Sequence, residues 1–94
     1  MIRSFADTET ERVFQRLPYR RLSVDVQRIA YRKLLVIDAA ESINDLRIPP
    51  GNRLEKLKGN RKGQYSILIN DRWRVCFRWS DGDAHEVEIA DYHR

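Results

Sequence analysis

Cysteine, histidine and long apolar runs are scarce in this 94-residue chain. The single cysteine, Cys76, excludes an internal disulfide and a zinc site built from several cysteines. With only two histidines, His85 and His93, and no acids at convincing ligand spacing, the sequence predicts no metal site and no cofactor. No segment approaches the length of a membrane-spanning helix, and the first residues lack the apolar run of a signal peptide. We therefore expect a cytoplasmic protein without a membrane partner.

Positive charge is concentrated in the middle of the chain. Residues 48–79 contain eight Lys or Arg and two acids, a net charge of +6, whereas residues 80–94 carry a net charge of −4. The length predicts one domain over residues 1–94, so this charge must lie on one small globule. Such a region predicts an anionic partner, and RNA is the first candidate. The side chains expected to bind phosphate or a base are Arg53, Lys56, Arg61, Lys62, Tyr65 and Arg78.

Two helices are predicted in the first half of the chain. Asp7 or Thr8 caps a first helix that extends to Leu17. Ser23 caps a longer helix over residues 24–40. Its apolar residues recur at helical spacing and predict one buried stripe, made of Val26, Ile29, Ala30, Leu34 and Ile37. The charged residues on its flanks are interpreted as solvated, namely Arg28, Arg32 and Lys33.

Strands are predicted in the second half. A type II turn at Pro50–Gly51 leads into a strand over residues 53–57. A period of two predicts strands over residues 65–69 and 73–79, joined by a two-residue turn at Asn70–Asp71. A last strand over residues 84–90 follows a turn at residues 80–83, and residues 2–5 add a strand at an edge. The pattern predicts an α+β fold, with two N-terminal helices packed on an antiparallel sheet.

The alternation also predicts which side chains face the helices. The core face of the strand over residues 73–79 is predicted to hold Trp73, Val75, Phe77 and Trp79, and the opposite face Arg74, Cys76 and Arg78. In the last strand, His85, Val87 and Ile89 are predicted to share one side. Glu86 and Glu88 would lie on the other side and could pair with Arg74 and Arg78.

The chain ends with three groups suited to cleaving RNA. His93 can give or take a proton near neutral pH, Asp91 can orient an imidazole or accept a proton, and Tyr92 can stack on a base. Arg74 is expected to point out of the sheet near the start of this tail, and Lys58 to approach from the other flank. In metal-free RNA cleavage a base takes the 2′-hydroxyl proton, cations stabilise the phosphorane, and an acid protonates the leaving oxygen.

The run PPGNRLEKLKGNRKGQYSILINDRWRVCFRW, followed by VEIADYH, resembles the HigB-type toxins of the RelE/ParE superfamily over about residues 48–93. The resemblance implies a small α+β toxin that is neutralised by a helix-turn-helix antitoxin of the HigA type. It also implies cleavage of mRNA in the A site of the small ribosomal subunit without a metal, and contact with operator DNA only through the antitoxin. The functional residues that it carries over are Lys58, Arg74, Asp91, Tyr92 and His93. Some members have a histidine at the position of Glu55, which therefore joins the candidate catalytic residues.

Two other functions fit the same residues. Some members of the superfamily poison DNA gyrase by binding it, and such a protein would not need its terminal trio. A plain RNA-binding module would show salt-sensitive binding but leave the message intact.

Overall fold

The computed structural model of the chain describes residues 1–92. Two helices, α1 (Thr8–Phe14) and α2 (Val24–Ala39), precede a four-stranded antiparallel sheet in the order β1-β2-β3-β4. The strands are β1 (Glu55–Lys56), β2 (Tyr65–Leu68), β3 (Trp73–Ser80) and β4 (Asp83–Asp91). The predicted edge strand appears as two parallel bridges, Ile2 to Ala84 and Phe5 to Val87, along β4. The predicted α+β fold is therefore confirmed.

Helix α1 is shorter than predicted. Asp7 caps its first turn by accepting a hydrogen bond from the backbone N–H of Thr10 (2.7 Å), as expected. The prediction that it extends to Leu17 is wrong, because Arg16 adopts a left-handed conformation with φ 63°. The N–H of Leu17 then turns back to the carbonyl of Arg12 (2.8 Å), the pattern of a Schellman C-cap.

Helix α2 packs its predicted stripe on the sheet. Ser23 caps it through a hydrogen bond from the N–H of Val26 (3.2 Å). Ala30, Leu34 and Ile37 are fully buried, and they form one core with the inner faces of β2, β3 and β4. The core residues of the strands are Ile67, Trp73, Val75, Phe77, Ala84, Val87 and Ile89. The inner face predicted for β3 is thus confirmed.

The flank of α2 is less exposed than expected at Lys33. Its amine donates a hydrogen bond to the side chain of Asn52, which is fully buried, and burial lowers the pKa of Lys33. The amide of Asn52 in turn donates to the carbonyls of Leu46 (3.2 Å) and Ile48 (3.3 Å). This network attaches the segment before β1 to the long helix.

The segment before β1 differs from the prediction. Residues 50–52 form a short 3-10 turn, and the positive φ lies at Arg53 (46°), whereas Gly51 is not among the residues with positive φ. The predicted type II turn at Pro50–Gly51 is therefore wrong. The predicted strand over residues 53–57 is reduced to Glu55–Lys56. The left-handed Arg53 cannot extend the strand, and its carbonyl is turned to Arg74 instead.

The hairpin between β2 and β3 has a three-residue turn. The N–H of Ile69 bonds to the carbonyl of Trp73 (2.9 Å), so that Asn70, Asp71 and Arg72 form the tip and the predicted two-residue turn is wrong. The side chain of Asn70 accepts hydrogen bonds from the N–H groups of Arg72 (2.9 Å) and Trp73 (2.8 Å). This side-chain turn replaces the tighter backbone turn.

A bulge in β4 changes the face on which His85 lies. Between the pairs Cys76–Glu88 and Arg78–His85, the two residues Glu86 and Val87 oppose Phe77 alone. Because side chains alternate, the extra residue puts His85 on the face of Arg78, and not on the predicted side of Val87 and Ile89. Glu86 has a positive φ of 52°, and its N–H donates to the hydroxyl of Ser4 (2.9 Å).

Among residues 1–92, no helix has both the length and the apolar character needed to cross a membrane.

Candidate active site

The face of the sheet that points away from the helices, here called the open face, has its own small apolar cluster. Leu57, Cys76 and Ala90 are buried there, and the half-buried ring of Tyr92 packs against them. Burial raises the pKa of the Cys76 thiol. The cluster is separate from the main core, and charged side chains surround it. It forms the apolar floor of the candidate site.

Arg74 is a buried, hydrogen-bonded cation of the open face. It lies on the predicted face, opposite the helices, and it is only 7% exposed. Its Nε atom donates to the hydroxyl of Ser66 (2.7 Å), and its Nη2 atom donates to the carbonyl of Arg53 (2.7 Å). These bonds hold the guanidinium in one orientation, so that an incoming anion would find its donors already aimed.

Two further groups contact this guanidinium. The Oε1 atom of Glu55 lies 3.8 Å from Nη1 of Arg74, and the side chain of Glu55 is 46% exposed. The ring of Tyr92 lies 5.6 Å from the guanidinium carbon, within the range of a cation–π contact. A solvent-accessible carboxylate and an aromatic ring therefore both contact one fixed positive charge.

The structure separates Asp91 from Arg74. In the strand register Asp91 lies opposite Trp73, on the helix-covered side of the sheet, and its Oδ2 atom accepts hydrogen bonds from Arg72 Nε (3.0 Å) and Nη2 (2.8 Å). These bonds and the charge of Asp91 raise the pKa of Arg72. The tail starts close to Arg74, as expected, because Ala90 lies opposite Arg74; Tyr92 contacts the guanidinium, whereas Asp91 pairs with Arg72. His93 lies outside the described residues.

Arg61 joins the open face through Glu88. Its Nη1 atom donates to the carboxylate of Glu88 (2.9 Å) and to the amide oxygen of Gln64 (3.1 Å). Burial acts to lower the pKa of Arg61, but the hydrogen bond to Glu88 and the nearby Cys76 and Tyr92 groups outweigh it, so the pKa is raised. The expected partner of Glu88 was an arginine of β3, and the structure places Arg61 there instead.

The loop after β1 forms a cavity of about 280 Å³ beside the open face. It is lined by Lys56, Leu57, Lys58, Gly59, Lys62 and Gly63. Within residues 1–92, none of its three lysines takes part in an ion pair. Leu57 belongs both to this cavity and to the apolar floor, so the lysine-lined cavity continues the surface that Arg74 begins.

Three of the predicted phosphate or base contacts remain, at Arg53, Tyr65 and Arg78. Arg78 pairs with Glu86 (2.8 Å) and packs so closely on Gly63 that a Cβ there would lie 2.7 Å from its Nη1 atom. Arg53 is exposed just before β1. Tyr65 stacks on Phe77, with ring centroids 6.3 Å apart, on the helix-covered face. Tyr65 is only partly buried there, and its role as a base-stacking residue stays a prediction.

Two residues of the site were missed in the sequence. The outward parity of Ser66 was visible, but its contact with Arg74 depends on the pairing register. Arg72 could have been linked to Asp91 only by knowing that the hairpin turn has three residues. In the part of the chain from 1 to 92, no group of three or more His, Cys, Asp or Glu could hold a metal ion.

Comparison with known proteins gives the site a context. The sequence model of a family described as RelE-like toxin of type II toxin-antitoxin system HigB matches residues 3–93. The chain is 47% identical to Toxin HigB-1 of Vibrio cholerae over 66 residues, 70% of each chain. It is 41% identical to Endoribonuclease HigB of Proteus vulgaris over 73 residues, 73% of each chain.

Solved structures share the fold at low sequence identity. The Staphylococcus aureus protein in the YoeB-YefM complex is 19% identical with a TM-score of 0.62, and the match covers 100% of this chain and 99% of that one. YafQ from E. coli is 13% identical with a TM-score of 0.58, over 98% of this chain and 94% of that one. These likenesses support the fold alone.

Proposed function

This chain belongs to the HigB-like family of RelE-like toxins of type II toxin-antitoxin systems, and from that premise we propose that it is an endoribonuclease that cleaves mRNA on the ribosome. The observation that carries the proposal is the fixed Arg74 guanidinium, 3.8 Å from the accessible Glu55 carboxylate and beneath the ring of Tyr92. This arrangement offers a phosphate a cation, a proton acceptor and a surface for a base. The relative named Endoribonuclease HigB supports the same reaction class.

In the proposed reaction the RNA supplies its own nucleophile. Glu55 takes the proton of a 2′-hydroxyl, and the 2′ oxygen attacks the adjacent phosphorus. The bond from phosphorus to the 5′ oxygen breaks, and this oxygen takes a proton, for which His93 is the proposed donor. The products are a 2′,3′-cyclic phosphate and a 5′-hydroxyl end. No step requires an oxidant or a second substrate.

The cations are proposed to act on the phosphate. Negative charge grows on the phosphoryl oxygens as the 2′ oxygen attacks, and donors that are already oriented stabilise it without reorganisation. Arg74 is fixed by Ser66 and by the carbonyl of Arg53, so it suits this role. Lys58 and the other lysines of the lysine-lined cavity would bind the neighbouring phosphates of the RNA.

The partners are proposed from the same family. We expect a HigA-type helix-turn-helix antitoxin, and the complex of a fold relative with YefM supports an antitoxin partner in general. Contact with operator DNA would then occur only through the antitoxin. The proposed place of action is the A site of the small ribosomal subunit, in the cytoplasm.

Primer extension on a defined mRNA tests the proposal. The full chain and its Glu55→Gln and His93→Gln variants are incubated with the message, with and without ribosomes. New 5′ ends that need ribosomes, and that weaken in both variants, are the expected result. Absence of new ends with ribosomes present would refute the nuclease. Growth inhibition that survives in His93→Gln without mRNA cleavage would favour gyrase, and salt-sensitive RNA binding without cleavage would favour a plain RNA-binding module.

A further inference from the structure

The hairpin tip between β2 and β3 holds the end of β4. The side chain of Arg72 donates two hydrogen bonds to the Oδ2 atom of Asp91 (3.0 and 2.8 Å). The backbone carbonyl of Arg72 also accepts a hydrogen bond from the N–H of Tyr92 (2.6 Å). One residue therefore binds two consecutive residues of the tail, one through its side chain and the other through its backbone.

Arg72 is itself held in place by contacts with Asn70 and Trp73. The side chain of Asn70 accepts a hydrogen bond from its backbone N–H (2.9 Å), which fixes the three-residue turn. The guanidinium lies 5.0 Å from the ring centroid of Trp73, a buried residue of the main core. The ion pair between Arg72 and Asp91, here called the clamp, is thus packed against a residue of the main core.

Tyr92, which follows the clamp, lies on the open face. Consecutive residues of a strand point to opposite faces, so fixing Asp91 on the helix-covered side directs Tyr92 to the open face. There its ring contacts the Arg74 guanidinium at 5.6 Å and covers the apolar floor that includes Cys76.

We propose that Arg72 is a positioning residue for RNA cleavage, which holds the ring of Tyr92 over Arg74 through the side chain of Asp91 and the backbone of Tyr92. The inference rests on the proposed nuclease function. It gives Asp91 the role of an anchor, whereas the sequence had suggested proton transfer. Arg72 would not touch the reacting atoms, and its effect would appear in turnover more than in RNA binding.

A charge exchange tests this in the full chain. Ribosome-dependent cleavage is measured for Arg72→Ala, for Asp91→Arg, and for the double variant Arg72→Asp with Asp91→Arg. Arg72→Ala should lower kcat by roughly tenfold or more with little change in KM, because a small misplacement of a reacting group is costly. The double variant should recover most of the kcat that Asp91→Arg loses. A double variant as inactive as Asp91→Arg would overturn the proposal, since the Asp91 carboxylate itself would then be needed in the reaction.

Arg3→Ala is the matched control. It breaks another exposed ion pair of β4, with Asp83 (3.0 Å), at the end of the strand away from the tail. Its kcat should equal that of the unmodified chain. A loss of kcat as large as that of Arg72→Ala would overturn the proposal, because any break along β4 would then have the same effect.

Alkylation of Cys76 gives a readout without ribosomes. Tyr92 covers the floor that contains this thiol, so Arg72→Ala should make Cys76 react faster with iodoacetamide, and the charge exchange should slow it again. Unchanged reactivity in Arg72→Ala would overturn the proposed route through Tyr92. If the unmodified chain cleaved no message, the proposed function and the cleavage role of Arg72 would both fail. Faster alkylation in Arg72→Ala would then still show that the clamp holds Tyr92.

Discussion

The carboxylate of Glu55 lies 3.8 Å from the guanidinium of Arg74, on the face of the sheet opposite the helices. Glu55 is nearly half exposed, whereas Arg74 is almost fully buried. The pair therefore joins a fixed cation to an anion that solvent can reach. A phosphate arriving at Arg74 would compete with Glu55 for the same donors, so the carboxylate would lie beside a phosphate bound there.

Glu55→Gln should abolish most of the cleavage while preserving binding. The amide keeps the shape of the side chain but cannot take a proton, so we expect a loss of about 100-fold or more in cleavage rate. Binding of mRNA should stay equal or tighten, because a negative charge beside the phosphate is removed. Quenched-flow cleavage together with filter binding measures both. Glu86→Gln, which alters another exposed carboxylate of the sheet, should cleave normally. Equal cleavage rates for Glu55→Gln and the unmodified chain would exclude Glu55 as the base.

Arg74→Lys should impair both stability and cleavage. Lysine keeps the charge but cannot reach Ser66 and the carbonyl of Arg53 in the same geometry. Leaving the buried hydroxyl of Ser66 without this partner should cost about 1–3 kcal/mol in the free energy of unfolding, measured by urea denaturation. Cleavage should fall by about 100-fold or more, as expected when an oriented donor is lost. Arg28→Lys, on the exposed side of α2, should change neither quantity.

Tyr92→Ala should expose Cys76. Burial raises the pKa of this thiol, and Tyr92 packs over the cluster that contains it. Removing the ring should make alkylation of Cys76 at pH 8 several times faster. Tyr92→Phe keeps the ring and should alkylate at the rate of the unmodified chain. Fast alkylation in the unmodified chain would contradict the packing described for the open face.

The tether of the N-terminus should depend on pH through Asp83. Hydrogen bonds from Arg3 and from the N-terminal amine lower the pKa of Asp83 below its usual value of 3.8. A lowered pKa gives stability that is fully present above pH 3.8 and is lost as the pH falls through the lower folded value. Asp83→Asn should therefore lower Tm at neutral pH, and the difference should shrink in acid. Asp25→Asn should leave Tm at neutral pH nearly unchanged, since Asp25 meets Arg28 only at 3.7 Å and is almost fully exposed. A constant difference between the Asp83 variant and the unmodified chain at all pH values would contradict this.

The alternating strands were predictable because their two faces differ sharply in polarity. In β3 the inner residues are aromatic or aliphatic and the outer ones include two arginines, so only one orientation buries the apolar side chains. The segment of β4 around His85 and Glu86 has no such contrast, and the bulge there could not be read from the sequence. The bulge lies within the part of β4 that bridges to the N-terminal segment, between Ala84 and Val87.

The sequence predicted which residues belong to the candidate site better than it predicted their contacts. The basic region and the tail identified Arg74 and Tyr92, and the structure brings them together. The burial of Arg74 depends on the carbonyl of Arg53, 21 residues earlier, in a left-handed conformation that no local pattern required. The separation of Asp91 from Arg74 follows from strand parity, but only once the register with Trp73 is known.

The bulge has a further consequence for how the chain tolerates deletions. Loss of Glu86 would leave Val87 opposite Phe77, so β3 and β4 would remain in register on both sides and Tyr92 would keep its place. The N-terminal segment would not fit, because its bridges at Ile2 and Phe5 are three residues apart and match the three-residue spacing of Ala84 and Val87. Glu86 is thus not required for the register of β3 and β4, but it is required for the bridges to the N-terminal segment. A chain that lacks Glu86 should therefore keep the candidate site but lose the pairing of the N-terminal segment with β4.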